Sequence, residues 1–343
     1  MAENKTGRHT TEEDSLKTAG ILCLGPLVMD ITAAHLPERE NWLEKQRIET
    51  IRPGVGGDAA NQAVHLAALG NSAYLCACIG NDDNGRLLLS ALKDRGVRTD
   101  FVRIKPDRQT GTALVLVDQA GERHTFSVKG AHASLCRDDI PDLRAGGFAA
   151  LSLASLFSMA VLEADGLLEY LETARELGLP VFADLGSDKF KLGLEGIRRF
   201  LPFIDYFLPS LYDVLGMTGS GTAEEAAAFF LNEGVGTVMI KCGARGAYVR
   251  SGRSDGRSSC GAGKPAGDTG VWIAAAAADV VDTTGAGDCA SAAFISRIMS
   301  GDDLESAARF ACAAGSYSTQ FVGASSFSLT EEAVRRMMDQ SSV

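Results

Sequence analysis

The stretch Val281-Asp282-Thr283-Thr284-Gly285-Ala286-Gly287-Asp288 constrains this chain more than any other. The apolar segment ahead of it, Val271 to Val281, reads as a buried strand. Behind it, Cys289 to Met299 is small and apolar, as in a helix packed closely against a sheet. The paired threonines can start the turn. Gly285 and Gly287 let the backbone approach a ligand where a Cβ would stand in the way. Free N–H groups at the helix start, aided by the helix dipole, form an anion site suited to phosphate. Asp288 falls in the first helical turn, which favours an ionised carboxylate, although a neighbouring phosphate would push its pKa back up. A carboxylate beside a phosphate cradle can take the proton of an attacking hydroxyl. A glycine turn with an acidic residue at the helix start is also an ordinary structural arrangement, so the stretch by itself leaves both readings open.

DTTGAGD followed by a small-residue helix closely resembles the C-terminal signature of the ribokinase-like (PfkB) sugar kinases. The resemblance implies that the backbone of Gly285, Ala286 and Gly287 forms the anion hole for the transferred phosphate, and that Asp288 is the catalytic base.

Composition narrows the rest. The chain has 343 residues, 45% of them hydrophobic, enough for a large core. Its net charge is −11, from 33 basic and 44 acidic residues. With no basic run, it is a poor binder of nucleic acid or anionic membranes, whereas free nucleotides can still be held by backbone amides. No apolar run reaches the roughly 20 residues of a membrane span. Residues 1–19 lack the apolar core of a signal peptide and read as a disordered polar tail. The 8 cysteines are scattered without a CxxC pair, which suits reduced thiols in a cytoplasmic protein.

Ile21 to Gly25 reads as a short buried strand, followed by Asp30. A lone Asp there is an ordinary turn residue; the resemblance makes it a ligand of sugar hydroxyls. Ile48 to Ile51, Thr112 to Asp118 and Arg123 to Val128 alternate like half-exposed strands, the last two forming a hairpin around Gln119-Ala120-Gly121-Glu122. The resemblance makes segments of about 31–53 and 108–130 a β lid over the sugar site, which also joins a homodimer. An edge hairpin on the main sheet is the structural alternative. From Tyr74 to Thr330 strands and helices alternate, as in a parallel sheet with crossover helices. Strands are expected at Tyr74–Ile79, Phe148–Leu153, Val181–Leu185, Tyr206–Leu208 and Thr237–Lys241. Helices are expected at Gly85–Asp94, Glu163–Leu177, Ala223–Asn232 and Asp303–Thr319. The expected fold is α/β: a three-layer α/β/α ribokinase-like domain over 20–335, with a central mostly parallel sheet and the small lid.

Gly54, Gly56 and Ala59 satisfy a loose dinucleotide fingerprint. That fingerprint needs a buried strand directly before it, where Arg52-Pro53 stands, and Asp58 would repel a pyrophosphate. The stretch instead resembles the family's N-terminal signature, which implies sugar binding by Gly56, Gly57 and Asn61. Asp58 departs from the residue common in ribokinases; its carboxylate could accept hydrogen bonds from two substrate hydroxyls. Ser210 and Asp213 stand where the family usually has Asn-x-x-Glu, linked to magnesium and phosphate positioning. Asp213 is therefore a candidate for a magnesium-bound water and equally for a helix cap. Lys241-Cys242-Gly243-Ala244-Arg245-Gly246 resembles the glycine turn beside the nucleotide, with a tight hairpin as the plain reading. Gly323-Ala324-Ser325-Ser326 resembles a loop beside a potassium site, to which Asp282 and Thr284 could contribute; a simple turn is the stronger reading. Residues 251–270 read as a mobile glycine-rich loop. Its GxSxG lacks the flanking strand and helix of a hydrolase elbow, and Pro265 spoils its only P-loop-like Gly-Lys. The histidines have no HExxH spacing.

These readings converge on an ATP-dependent sugar kinase acting on a small carbohydrate of the fructose, 2-keto-3-deoxygluconate or ribose type. Ser152, Ser155 and Ser158, where ribokinases tend to supply a carboxylate, lean towards a ketose or sugar acid. Thr284, Ser210, Lys241, Gly243 and Gly246 are assigned to ATP, and Asp213 and Asp282 to cations: magnesium, with potassium as a further candidate. A nucleoside kinase and a non-catalytic sugar-binding relative are the alternatives.

Overall fold

The structure is a computed structural model that describes residues 19–37, 42–45, 47–48, 50–118, 123–188, 191–252 and 270–340. The N-terminal polar stretch, the hairpin turn at 119–122 and residues 253–269 of the glycine-rich insertion, with both of its misleading motifs, lie outside the described residues.

Among the described residues thirteen strands form two sheets. The large sheet contains β1 (Gly20–Leu24), β4 (Ala73–Gly80), β5 (Arg98–Lys105), β8 (Phe148–Leu156), β9 (Val181–Leu185), β10 (Tyr206–Phe207), β11 (Thr237–Lys241), β12 (Ala247–Ser251) and β13 (Val271–Ile273). Their order is β13-β12-β11-β10-β9-β8-β1-β4-β5, parallel except for the antiparallel edge made by β12 and β13. Strands covered on both faces should be apolar throughout rather than alternating. β1 follows this rule: Ile21 and Cys23 join one core, Leu22 and Leu24 the other. The first core holds helices α1 (Asp58–Ala68), α2 (Asp83–Asp94), α8 (Ala286–Met299), α9 (Leu304–Ser318) and α10 (Glu331–Gln340). The second holds α3 (Ala160–Ala164), α4 (Leu167–Glu176), α5 (Gly193–Ile197), α6 (Leu211–Thr218) and α7 (Ala223–Asn232). The result is three layers, α/β/α.

The small sheet is separate from the large one and has the order β3-β2-β6-β7, with β2 (Val28–Leu36), β3 (Thr50–Gly56), β6 (Gly111–Asp118) and β7 (Arg123–Val128). Arg52-Pro53 does not break β3. The strand runs through both residues at an edge of the small sheet, where a proline is tolerated because no ladder N–H is lost. The dinucleotide fingerprint still has no buried parallel strand ahead of it.

Two expected elements differ, and two strands were not expected. Val271 to Val281 is a strand only over Val271–Ile273; the chain then leaves the sheet, and Val280 and Val281 are exposed. The alanines that follow β13 line a cavity instead of filling a core. The expected helix 163–177 is split into α3 and α4 by Gly166, whose φ of 105° is left-handed and where a Cβ would stand 2.9 Å from Arg137. β2 and β5 were not anticipated as strands, because their polar and half-exposed residues blur the apolar signal.

Phe207 sits at the centre of the second core, fully buried and edge-on to Phe230 at 4.9 Å. Phe207→Ala is expected to lower the free energy of urea unfolding by about 3–5 kcal/mol. A loss below about 1 kcal/mol would show that this core collapses around the void.

Candidate active site

Two helix N-termini meet at one place. α1 starts at Asp58 behind Gly57, whose φ of 94° is left-handed; a Cβ there would stand 2.5 Å from the Pro26 carbonyl. Gly56, next to it, lies directly against the Asp30 carboxylate, which a Cβ there would displace. α8 starts behind Gly285, φ 72°, which packs onto Ala324 at a distance no Cβ could occupy. α1 and α8 pack against each other through small residues, Ala59, Ala60 and Ala63 on one and Ala292 and Ala293 on the other, all fully buried. Such residues allow the backbones to come close.

Asp288 and Asp58 therefore project from the first turns of neighbouring helices. Asn61 Nδ2 donates to Asp288 Oδ2 at 2.8 Å, while Asn61 Oδ1 is buried without a partner among the described residues. Ser155 Oγ donates to Asp58 Oδ2 at 2.5 Å and lies 2.9 Å from Ser158 Oγ. Ser152 instead donates to Gln62 Oε1 inside the core, so its hydroxyl does not serve the site.

Lys241, at the end of β11, supplies the positive charge. Its ammonium donates to the Asp184 carboxylate and to Ser291 Oγ at 3.1 Å, and Ser291 Oγ donates to Asp184 Oδ2 at 2.9 Å. Nζ lies 3.4 Å from where a Cβ on Gly287 would be, so it faces the start of α8. Asp184 and Ser291 escaped the sequence reading. An aspartate inside the apolar strand Val181–Leu185 was the one available signal.

Burial, reinforced by the Asp58 charge, pushes the Asp288 carboxyl well above the usual range, against the pull of Asn61 and Lys241. Asp58 is raised chiefly by burial, and Asp184 likewise despite its lysine partner. Burial and then the Asp58 charge lift Asp30 to about 6.

This group opens on a cavity of about 820 Å³, within the range of cofactor sites. Asp58, Asp184, Lys241, Gly285, Ala286, Gly287 and Asp288 line it, with Ser210, Asp213, Gly243, Gly246 and the alanines 275–278. Gly246, φ 90°, lies against the carbonyl of Ile273 where no side chain fits, so it serves the hairpin turn and the cavity wall together. Ser210 caps α6, accepting from Asp213 N at 3.3 Å and donating to the Asp213 carboxylate. Asp282 ties its own turn to the loop at 323–326: Oδ1 accepts from Thr284 N at 2.9 Å and Oγ1 at 2.6 Å, Oδ2 from Gly323 N at 2.8 Å. Thr284 lines a second, smaller cavity with Asp30, not the large one with Gly243 and Gly246. Among the described residues no group of three or more His, Cys, Asp or Glu is arranged to hold a metal ion.

Comparison with known proteins places the chain in a family. Residues 19–331 match the model of the pfkB family carbohydrate kinases. A ribokinase of Arabidopsis thaliana is 30% identical over 304 residues, covering 84% of this chain and 73% of that protein. An uncharacterized sugar kinase of Archaeoglobus fulgidus is 28% identical over 244 residues, covering 71% of this chain and 90% of that protein. Among solved structures, Arabidopsis thaliana ribokinase complexed with ribose and ATP superposes with a TM-score of 0.73 at 26% identity, over 94% of this chain and 99% of that one. A Methanocaldococcus jannaschii nucleoside kinase has a TM-score of 0.72 at 20% identity, over 94% and 99%, a likeness of fold alone. With a matching family model over nearly the whole described chain, the protein belongs to the pfkB family of carbohydrate kinases, enzymes that transfer a phosphoryl group to a sugar hydroxyl.

Proposed function

We propose that the protein transfers the γ-phosphate of ATP to a hydroxyl of a small carbohydrate, with Asp288 as the base. The observation that carries this reading is the placement of Asp288: in the first turn of α8, held by Asn61, in one cavity wall with Lys241 and the Gly285–Gly287 backbone. The sugar hydroxyl attacks the γ-phosphorus, its proton passes to Asp288, and the bond from phosphorus to the ADP oxygen breaks. The Asn61 amide fixes the carboxylate while its unpartnered Oδ1 offers an acceptor to a neighbouring sugar hydroxyl. Asp30, Gly56, Gly57 and Asp58 complete the acceptor site.

The large cavity suits the nucleotide. Its alanines offer a smooth apolar wall, and Lys241, held by Asp184 and Ser291, offers a fixed cation to the transferred group. Magnesium, when bound, neutralises charge on the phosphates. One carboxylate plus phosphates and waters is its usual environment. The absence of a three-ligand cluster among the described residues and the presence of Asp213 in the wall fit that pattern.

The small cavity, about 220 Å³, is lined by no aromatic side chain, which favours a simple sugar over a nucleoside. By strand register Ile51, Leu114, Phe126 and Val128 share one face of the small sheet, and they are 63%, 38%, 63% and 53% exposed. We assign this face to a second copy of the chain, the small sheet acting as a lid on its other face. No helix of the described residues is long and apolar enough to cross a membrane. The seven described cysteines are all free, which supports a cytoplasmic setting. The loop at 323–326 is already tied by Asp282, His65 and Arg95, so a structural turn accounts for Asp282 and turnover is expected without added potassium.

Asp288→Asn is expected to reduce kcat by orders of magnitude with sugar binding largely retained; near-normal turnover would remove the base assignment. The pH profile supplies a second check. The base must be ionised, so kcat/KM falls as pH drops through its pKa, and the raised pKa places that acid limb above the ordinary carboxylate range. Asp58→Asn removes a charge that raises Asp288, so the limb should move to lower pH. Lys241→Met removes one that lowers it, so the limb should move to higher pH. Shifts in the opposite directions would show that another group titrates.

A further inference from the structure

The small cavity carries a charge pattern that the phosphoryl-transfer machinery does not use. It lies under the small sheet, between that sheet and the loop at 323–326. Strand register places Arg52 opposite Thr32 and Gly54 opposite Asp30, so Arg52, Thr32 and Asp30 share the face that lines the cavity. Arg95, at the C-terminal cap of α2, lines it from another direction. Its Nη1 donates to the Ser325 carbonyl and, at 3.2 Å, to Ser325 Oγ, while Nε and Nη2 have no partner among the described residues. Arg52 has none there at all. Two arginines from separate elements, Arg52 exposed on β3 and Arg95 half-buried at the end of α2, thus line one cavity whose lining contains a single carboxylate, Asp30. That carboxylate is lifted to about 6 by burial and Asp58, so neither arginine neutralises it strongly. Burial also lowers the pKa of Arg95, which makes no ion pair among the described residues.

ATP does not explain these groups, because neither arginine lines the large cavity. A neutral sugar does not need them either: Asp30 and Thr32, in the same cavity, already supply acceptors and a donor for hydroxyls. At 220 Å³ the space equals about seven water volumes, room for one monosaccharide-sized group with a small substituent. Guanidinium is the side chain best matched to carboxylate and phosphate.

We infer that the acceptor sugar carries an anionic substituent, a carboxylate or a phosphate, held between Arg52 and Arg95 while Asp30 and Asn61 hold its hydroxyls. This deepens the kinase reading and rests on it for the reaction, though not for the binding.

The test uses the full chain with MgATP and matched sets of neutral, carboxylate and phosphate sugars: ribose, ribonate and ribose 1-phosphate, then fructose, 2-keto-3-deoxygluconate and fructose 6-phosphate. ADP release gives kcat/KM, and calorimetry with a non-hydrolysable ATP analogue gives binding. An anionic member should lead its set, and Arg52→Ala should lower the anionic-to-neutral ratio by about 10- to 100-fold, with partial rescue by Arg52→Lys. Which anionic arm leads separates carboxylate from phosphate. Turnover of a neutral sugar as good as that of its anionic counterparts, with the ratio unmoved in Arg52→Ala, would overturn the anion subsite and leave the kinase standing. Arg52-dependent binding of an anionic sugar without ADP release would do the reverse. Binding and turnover of no anionic member would overturn the inference.

Discussion

Everything at the site depends on one lysine among three buried carboxylates. Asp58, Asp184 and Asp288 would repel one another if ionised with no compensation, and burial alone lifts all three. Lys241 counters that through its bond to Asp184, and its field reaches Asp58 and Asp288. Two helix N-termini add to it: Asp58 and Asp288 each sit in a first turn, where the dipole favours negative charge. The cluster is thus tolerated as a group, and removing the lysine would leave three carboxyls without their common cation. A carboxyl raised in this way suits the base role proposed for Asp288.

The fold was legible wherever a strand is covered on both faces. Val181–Leu185 and Thr237–Lys241 emerged as expected, because full burial demands unbroken apolar runs. Legibility failed where an element is only half covered or where backbone conformation intervenes. β5 is the edge of the large sheet and carries Arg98, Asp100, Arg103 and Lys105, so its pattern is polar. The alanine-rich run after Ile273 looked like core, yet it forms the wall of a cavity. Composition alone cannot tell an apolar surface that meets protein from one that meets a ligand.

At the site, the glycine signatures located the helix starts because the geometry there excludes any side chain: Gly57 against Pro26, Gly285 against Ala324. The partners of those starts were harder to see. Asp184 lies 57 residues from Lys241 in sequence, and nothing local marks it as the lysine's counter-charge. Ser152 and Ser155 looked equivalent in sequence, but strand alternation turns Ser152 into the core with Gln62, and a different local path gives Ser155 to Asp58. Asp282, a candidate cation ligand in the sequence, accepts from Thr284 N, Thr284 Oγ1 and Gly323 N, and so ties its turn to the loop at 323–326.

The two cavities are lined by different positive groups, and the difference matches the roles proposed for each. In the large one, the start of α8 and a single tethered ammonium line the wall, and on the proposed reading they meet a group that must arrive, react and leave. Fixed dipoles stabilise developing charge without reorganising. In the small one, guanidinium groups project from β3 and from the end of α2. Their forked donors select shape as well as charge. In a protein with a net charge of −11, placing both arginines under the small sheet sets them against the overall field. That placement favours an acceptor whose own charge would otherwise keep it away.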